Sequence, residues 1–565
     1  MLKTWLSICT KEHCATCQPD VVPREVGLAL KVIDVTRCCI IFAPSNCRYL
    51  ALSYVWRDIS QLELTEDTQH RLMEDNGLST TEQQSRRVPK SIWDAIELTR
   101  QLGERYLWVD ALCIKQDDEA DKRLLINNMD VIYSSAIFTI VAAAGKDADA
   151  GLPGLHLDSS RPVLDAIENI QGLNLGIARR PFVDSITEST WEERGWTFQE
   201  KILSKRLMIF TDEQVFFHCN EATWFEDTIL EKHDPDIQIQ TPWYGHREWV
   251  KPRSNTSKFD KYGGLLDGYL HRDLTYESDI LNAFQGILNA LTPLFEGGFF
   301  WGLPTCLFDA ALLWRTSHSL KSRRPNFPSW SWLGWKQYSI GYSELLHKST
   351  ASEIDWFQAS SSCGDGDGID QIIRIPNSES LRYETRRQGC SNSNTSPGEE
   401  ELCTQWKKRH DSKKISTAEN YIHTTIHPPP SHLLFFWTSS AILPVDHLNP
   451  KPTNSPNSTP HNHTYSILAP HPTTSTNIAK ITLDPNWRET QPDTLEFIVI
   501  SRDIRPNYLQ RKENPPQQRQ QRLNIMLIKY QTEGIASRVQ LPQDSVLEAQ
   551  WNELPNLKWK FVVLG

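Results

Sequence analysis

Long uninterrupted apolar runs are missing from this sequence, which argues against a helical membrane span. The nearest candidate, ALTPLFEGGFFWGLPTCLFDAALLW, carries Glu296, Asp309 and two prolines. The opening MLKTWLSICTKEHC makes a poor signal peptide, because Lys11, Glu12 and His13 soon break its apolar stretch. Basic charge is in deficit: 59 Lys and Arg stand against 70 Asp and Glu, a net charge of -11. With no long basic stripe, the expectation is no nucleic-acid partner. Neither a GxGxxG nor a GxxxxGK(S/T) phosphate loop occurs. No nucleophile-elbow spacing surrounds Ser53, so Ser53, Asp110 and the distant His218 do not make an acyl-hydrolase triad. Internal repeats are absent too. The 12 cysteines are scattered, several inside apolar runs such as Cys113 in YLWVDALCI. That is thiol usage of a reducing compartment, not a disulfide framework. These exclusions predict a soluble chain of cytoplasmic location.

What the sequence has is length and tryptophan. At 565 residues it exceeds one ordinary core, and its 20 tryptophans supply rings for packed interiors or aromatic binding walls. Residues 1–46 read as a leading segment. YLALSYVW (49–56) is a short, strand-forming apolar run. Pro89 then opens SIWDAIELTRQLG, with Ile92, Ala95, Ile96 and Thr99 on one helical face and Gly103 as the stop. YLWVD is a second buried strand. QDDEADKRLLINNMDVIYSSA follows as one helix with acids in its first turn, and IFTIVAAAG is a third strand. This alternation is the grammar of a mostly parallel sheet flanked by helices. WEERGWTFQEKILS reads as a helix, and RLMIFT with QVFFHC as a strand pair. The expected organisation is therefore an α/β domain over 47–225, a mixed helical middle region over 226–375, a polar linker over 376–425, and a β-rich C-terminal domain over 426–565. Further polar patches occupy 449–463 and 514–522.

Three blocks of the first domain, in this order and spacing, carry a resemblance: YLALSYVW, then LWVDALCIKQDDEADKRLLINNMDVIYSSAIFTIVAAAG, then RGWTFQEKILSKRLMIF. Together they resemble the fungal heterokaryon-incompatibility (HET) family. RDLTYESDILNAFQGI, RPNFPSWSWLGW, NIMLIKY and the late KFVVLG extend the likeness more loosely. The resemblance implies an effector of self/non-self recognition and programmed cell death. It would act as a signalling and interaction module with an unidentified protein partner, an incompatibility antagonist or an upstream receptor, or by self-association. The family has been likened to TIR domains, flavodoxin-like α/β folds, some of which cleave the nicotinamide–ribose bond of NAD. By that analogy the alternative is an NAD-consuming enzyme, with NAD as substrate and no assigned cofactor. One departure stands out: the family's first block usually ends in Trp-Gly, whereas this chain has Trp56-Arg57.

The residues themselves keep two readings apiece. Asp110 follows the second strand, where open parallel sheets bind ligands, but Asp there also caps turns and helices. Glu200, set among Trp196, Thr197 and Phe198, suits either a carboxyl of raised pKa near an oxocarbenium-like centre or a structural ion pair with Arg194. Arg194 is equally a phosphate ligand. Ser53, Tyr54 and Trp56 end the first strand and can line a cofactor or base wall, or can simply be core. Cys9, His13, Cys14 and Cys17 have ligand-like spacing. They lie on one short segment without a second Cys pair, so buried thiols are the default and no metal is assigned.

Overall fold

The computed structural model describes residues 1–19, 29–56, 60–79, 87–156, 168–175, 179–227, 257–316, 322–336, 340–342, 346–360, 371–378, 381–382, 430–447, 463–470, 476–504, 521–532 and 534–565. The described chain divides into two compact units, Met1–Ser257 with His271–Leu291, and Lys258–Leu270 with Thr292–Gly565. The polar stretches at 376–425, 449–463 and 514–522 fall almost wholly outside the described residues. Among the described residues, no helix is long and apolar enough to cross a membrane.

The first unit begins with helices α1 (Leu2–Glu12) and α2 (Cys14–Cys17) and is built on an eight-stranded sheet. Its strands are β1 (Lys31–Asp34), β2 (Cys39–Phe42), β3 (Tyr49–Ser53), β4 (Tyr106–Trp108), β5 (Thr139–Ala142), β6 (Arg206–Phe210), β7 (Val215–Cys219) and β8 (Thr223–Phe225). They lie in the order β8-β7-β6-β5-β3-β4-β1-β2. The four central strands are parallel: β3 pairs with β4 (Leu50 opposite Leu107), β3 with β5 (Leu52 opposite Ile140), and β5 with β6 (Val141 opposite Ile209). Both margins are antiparallel, β1 with β4 and β2, and β7 with β6 and β8. The expected parallel core and the strand pair of RLMIFT with QVFFHC are present, whereas the antiparallel β1–β2 margin and β8 were not expected from the sequence. Strands buried on both faces need continuous apolar runs, and β3 to β6 supply them.

Helices cover both faces. After β3 come α3 (Glu66–Leu72) and α4 (Lys90–Leu102). Pro89 stands at the position before α4 and Gly103 ends the helix at φ 84°, a left-handed position that glycine takes without Cβ strain. Its Ile92, Ala95, Ile96 and Thr99 are buried as the periodicity predicts. β4 leads into α5 (Asp110–Cys113), and the single helix expected before β5 is instead two, α6 (Glu119–Ile126) and α7 (Met129–Ser135). The cause is local. Asn128 donates from Nδ2 to the Leu124 carbonyl at 2.8 Å, taking an acceptor of the helical ladder. Asp118 caps α6 by accepting from the backbone N–H of Ala120 and Asp121.

The helix expected over 191–204 is likewise divided, after α8 (Phe182–Thr187), into α9 (Thr190–Glu193) and α10 (Gly195–Leu203). Here the cause is distant in sequence. Gly195 N–H donates to the Asp273 carbonyl at 2.8 Å and Asp273 N–H to the Glu193 carbonyl at 2.6 Å, which holds Arg194 extended between the helices. α10 packs on α7 and on α11 (Asn282–Leu291), with Phe198 stacked on Phe284. On the other face Phe182, Ile186 and Trp191 close over Val55, Val141, Leu207 and Ile209.

In the second unit, the C-terminal region expected to be β-rich is so. Leu434–His447, Thr476–Leu483, Thr494–Asp503, Arg522–Thr532, Ile535–Gln540 and Lys558–Leu564 join a twelve-stranded sheet among the described residues. Leu434–His447 is its longest member and pairs antiparallel with both Thr494–Asp503 and Lys558–Leu564. Arg538 is buried there, donating to the carbonyls of Leu312 and Trp314 while its guanidinium stacks on Trp314.

One margin of the first sheet gives a stability prediction. The fully buried Asp34 carboxylate accepts from Arg105 Nη2 at 2.8 Å and Nε at 3.1 Å, and from the backbone N–H of Thr36 and Arg37. Asp34→Ala leaves two backbone donors unpaired at the β1 end and is expected to destabilise the first unit by about 2 kcal/mol, because Arg105 is itself half-exposed. Asp34→Asn keeps an acceptor and is expected to cost less. Urea unfolding followed by tryptophan fluorescence checks both; equal midpoints for all three proteins would refute the assignment.

Candidate functional site

Among the parallel strands the spatial order is β4-β3-β5-β6. The chain leaves β3 toward one side, then crosses back to the other. The switch in direction opens at the carboxyl ends of β3, β4 and β5, where open α/β sheets place ligands. Ser53 ends β3 there, and Asp110 opens α5 two residues beyond β4. Glu200 reaches the same place from the middle of α10.

These groups fall into two hydrogen-bonded pairs, with the Asp110 charge acting on Glu200 through space. Ser53 Oγ donates to Glu200 Oε2, and the buried indole of Trp191 donates to Ser53 Oγ at 2.7 Å. Trp56 Nε1 donates to Asp110 Oδ1 at 3.2 Å, and the same oxygen accepts the Ala111 N–H at 2.8 Å. Asp110 thus holds the adjacent N–H in the first turn of α5 while its carboxyl faces the tryptophan. Trp56, Asp110 and Arg194 keep accessible edges, whereas Ser53 and Glu200 lie beneath them, buried. Tyr54 lies under the rim, its ring tilted against Trp56 at 6.3 Å between centroids. It is buried, with its hydroxyl on Gln61 Oε1 at 3.0 Å. Arg57 lies outside the described residues.

Arg194 does not make the expected helix-fixing ion pair with Glu200. That work falls to Glu192, whose Oε1 takes both Lys201 Nζ and Arg272 Nη2, with the Arg272 guanidinium over Phe198. Arg194 acts on the site by its field, favouring the charged forms of Asp110 and Glu200. Two participants escaped sequence reasoning. Trp191 anchors Ser53, and Tyr133 of α7 lies against Glu200 with its ring edge-on to Trp108. Each sits at an apolar position, and nothing in its sequence context marks the polar tip as engaged. His218 is elsewhere employed, on Thr223 Oγ1 at 2.8 Å and against Phe182.

Burial governs the electrostatics. It pushes the Glu200 carboxyl up to about 8, with the Asp110 charge adding to the rise and Ser53, Arg194 and Tyr133 opposing it. Asp110 is pushed up to about 7 by burial, against the Ala111 and Trp56 N–H groups and Arg194. Near neutral pH the site thus holds a protonated Glu200 beside an Asp110 that is partly ionised. Two carboxyls in unlike environments are the arrangement by which one site offers both a proton donor and an anion. An aromatic edge and a guanidinium stand beside them. No group here forms a nucleophile–base pair of the serine-hydrolase kind. A separate cleft lies past the ends of β5 and β6, where Gly145, Lys146, Arg180, Glu188, Thr211 and Glu213 line a volume of about 140 Å³.

The same stretch of the chain resembles known proteins. Residues 49–200 match the family described as "Heterokaryon incompatibility protein (HET)". The match runs from the first residue of β3 to Glu200 and includes Ser53, Trp56, Asp110 and Arg194. The chain is similar to "Heterokaryon incompatibility protein 6, OR allele" of Neurospora crassa, with 28% identity over 213 residues, 34% of this chain. It spans 28% of the length of that relative. No solved structure matches. The chain thus carries an HET domain.

The buried acid makes a signed prediction. Glu200 ionises near 4.5 in the unfolded chain and near 8 when folded, so between these values the native state holds the extra proton. Its contribution is fully present below the lower value and is lost as pH rises through the upper one, at about 1.4 kcal/mol per pH unit within the window. Glu200→Gln imitates the protonated form and is expected to flatten the fall in stability between these pH values by about one proton. Chemical denaturation of both proteins across that range is the measurement, and parallel curves would show that Glu200 is ionised in the native state.

Proposed function

We propose that this chain is an effector of heterokaryon incompatibility, acting in fungal self/non-self recognition and programmed cell death as a signalling and interaction module. The observation that carries the reading is the HET match, which coincides with the parallel core and its helices from β3 through α10. The name of the Neurospora relative points the same way. In this reading an antagonist or upstream receptor engages the first unit, which passes the signal on by assembly with that partner or with further copies. The test is fusion between a strain carrying the chain and genetically unlike strains. Deletion of the chain is expected to raise the viability of the fused cells, and unchanged viability across a broad panel of fusions would remove the basis for the proposal.

A second reading, that of an NAD-consuming enzyme, is favoured by one arrangement: Asp110, Glu200, Trp56 and Arg194 share the strand ends at the topological switch. The strand order, which matches the start of a flavodoxin-like sheet, adds to the analogy with TIR domains. Trp56 would stack on the planar base and Arg194 would meet a phosphate. An ionised carboxylate would stabilise the oxocarbenium-like centre as the nicotinamide–ribose bond opens and nicotinamide leaves neutral. Because the anion is the working form, NAD cleavage by the full chain is expected to rise with pH through about 7, where Asp110 ionises. Asp110→Asn is expected to lower the rate near neutral pH about 100-fold or more, whereas Glu200→Gln, which imitates the protonated form, is expected to remove only activity gained above about pH 8. Nicotinamide release measured against pH checks this. Wild-type rates in both variants would eliminate the enzyme, while cell killing that survives both substitutions would favour the signalling module alone.

A further inference from the structure

The N-terminal helices bring three unusual side chains to the antiparallel margin of the first sheet. Cys9 lies on α1, His13 at the junction of α1 and α2, and Cys17 at the end of α2. Cys219, some two hundred residues away in sequence, ends β7 beside them. The three sulfurs and a His13 ring nitrogen all lie within 4.8 Å of one another. Cys9, Cys17 and Cys219 are buried and His13 is half-buried, whereas Cys14, the fourth member of the local sequence cluster, faces solvent. The chain has further buried cysteines, such as Cys39, Cys113 and Cys306, but none of them joins such a group among the described residues.

We infer that Cys9, His13, Cys17 and Cys219 form a structural zinc site that fastens the N-terminal helices to the β7–β8 hairpin. Zinc takes sulfur at about 2.3 Å and imidazole nitrogen at about 2.0–2.1 Å in a tetrahedron, so its ligand atoms stand roughly 3.5–3.8 Å apart. The separation of 3.4 Å between His13 Nδ1 and Cys219 Sγ is already close to one edge of that figure. Four protein ligands with no open position make a structural centre, not a catalytic one.

The surroundings match the charge such a centre needs. Three thiolates and one divalent zinc carry a net charge of -1. Arg206, buried at 3% exposure and standing opposite Cys219 in the β6–β7 register, donates from Nε to Cys9 Sγ at 3.1 Å. Its other hydrogen bond, to the Ile137 carbonyl, is to a neutral group, so an anionic sulfur cluster supplies the counter-charge for a guanidinium out of water. Around Cys219, the turn into β8 aims two backbone N–H groups, of Glu221 and Ala222, at Sγ, each at 3.4 Å. Such donors stabilise a thiolate and orient it toward a metal. Asn220 Nδ2 ties the same turn to the Thr16 carbonyl at 2.7 Å, next to Cys17.

The experiment is metal analysis by mass spectrometry of the full chain, purified under reducing conditions from zinc-supplemented cells. About one zinc per chain is expected, with a fall in thermal midpoint on removal by a strong chelator. Cobalt in its place is expected to give the intense visible absorption of tetrahedral thiolate coordination. Cys14→Ser is expected to keep the metal and Cys219→Ser to lose it. Since Cys219→Ser can also disturb folding, His13→Cys provides the control: a fourth thiolate is expected to retain one zinc in a folded chain. A folded, zinc-free wild type, a disulfide joining any two of Cys9, Cys17 and Cys219 in peptide maps, or retention of zinc by folded Cys219→Ser would each overturn the assignment.

Discussion

A carboxyl held out of water beneath the ends of parallel strands is the constraint around which the first unit is arranged. Glu200 is tolerable there because burial leaves it protonated near neutral pH and because Ser53 meets it with a hydrogen bond, itself fixed by the indole of Trp191. Each partner comes from a different element: β3, α9 and α10. Their mutual position therefore requires the parallel register of the central strands and the interruption between the two helices. If that break were continuous helix, the backbone of Arg194 could not stay extended, and the guanidinium field on both carboxyls would change.

The central sheet was legible because its strands are buried on both faces, and continuous apolar runs such as YLALS and TIVA leave few alternatives. The margins were less so. KVID carries a lysine and an aspartate whose partners, Asp121 and Arg105, lie roughly ninety and seventy residues away, so its strand character comes from tertiary pairing. Both divided helices show the same limit. Asn127-Asn128 is a local signal outweighed by apolar periodicity, while the break at Arg194 depends on Asp273, which no window around Arg194 contains.

The candidate site divides along similar lines. Ser53, Trp56 and Asp110 end strands or follow them closely, so a rule about strand ends finds them from sequence. Glu200 was singled out by its aromatic neighbours, although its actual contacts are Ser53 and Tyr133 and not the ion pair with Arg194 that stood as the alternative. Tyr133 and Trp191 were invisible as polar participants, since an aromatic on an apolar face looks the same whether or not its tip is engaged. For the cysteines the missing piece was long-range. Of the four ligand-like residues on one short segment, Cys14 turns away, and Cys9, His13 and Cys17 are joined by Cys219 from β7.

The alternation of segments between the two units has a consequence for biogenesis. The chain leaves the first unit after residue 257, contributes Lys258–Leu270 to the second, then returns with His271–Leu291 before finishing the second. On the ribosome, α10 would wait with its outer face uncovered until α11 has been synthesised, some eighty residues later. For the same reason a protease that cuts once in the stretch joining the units cannot release either of them with its own chain complete.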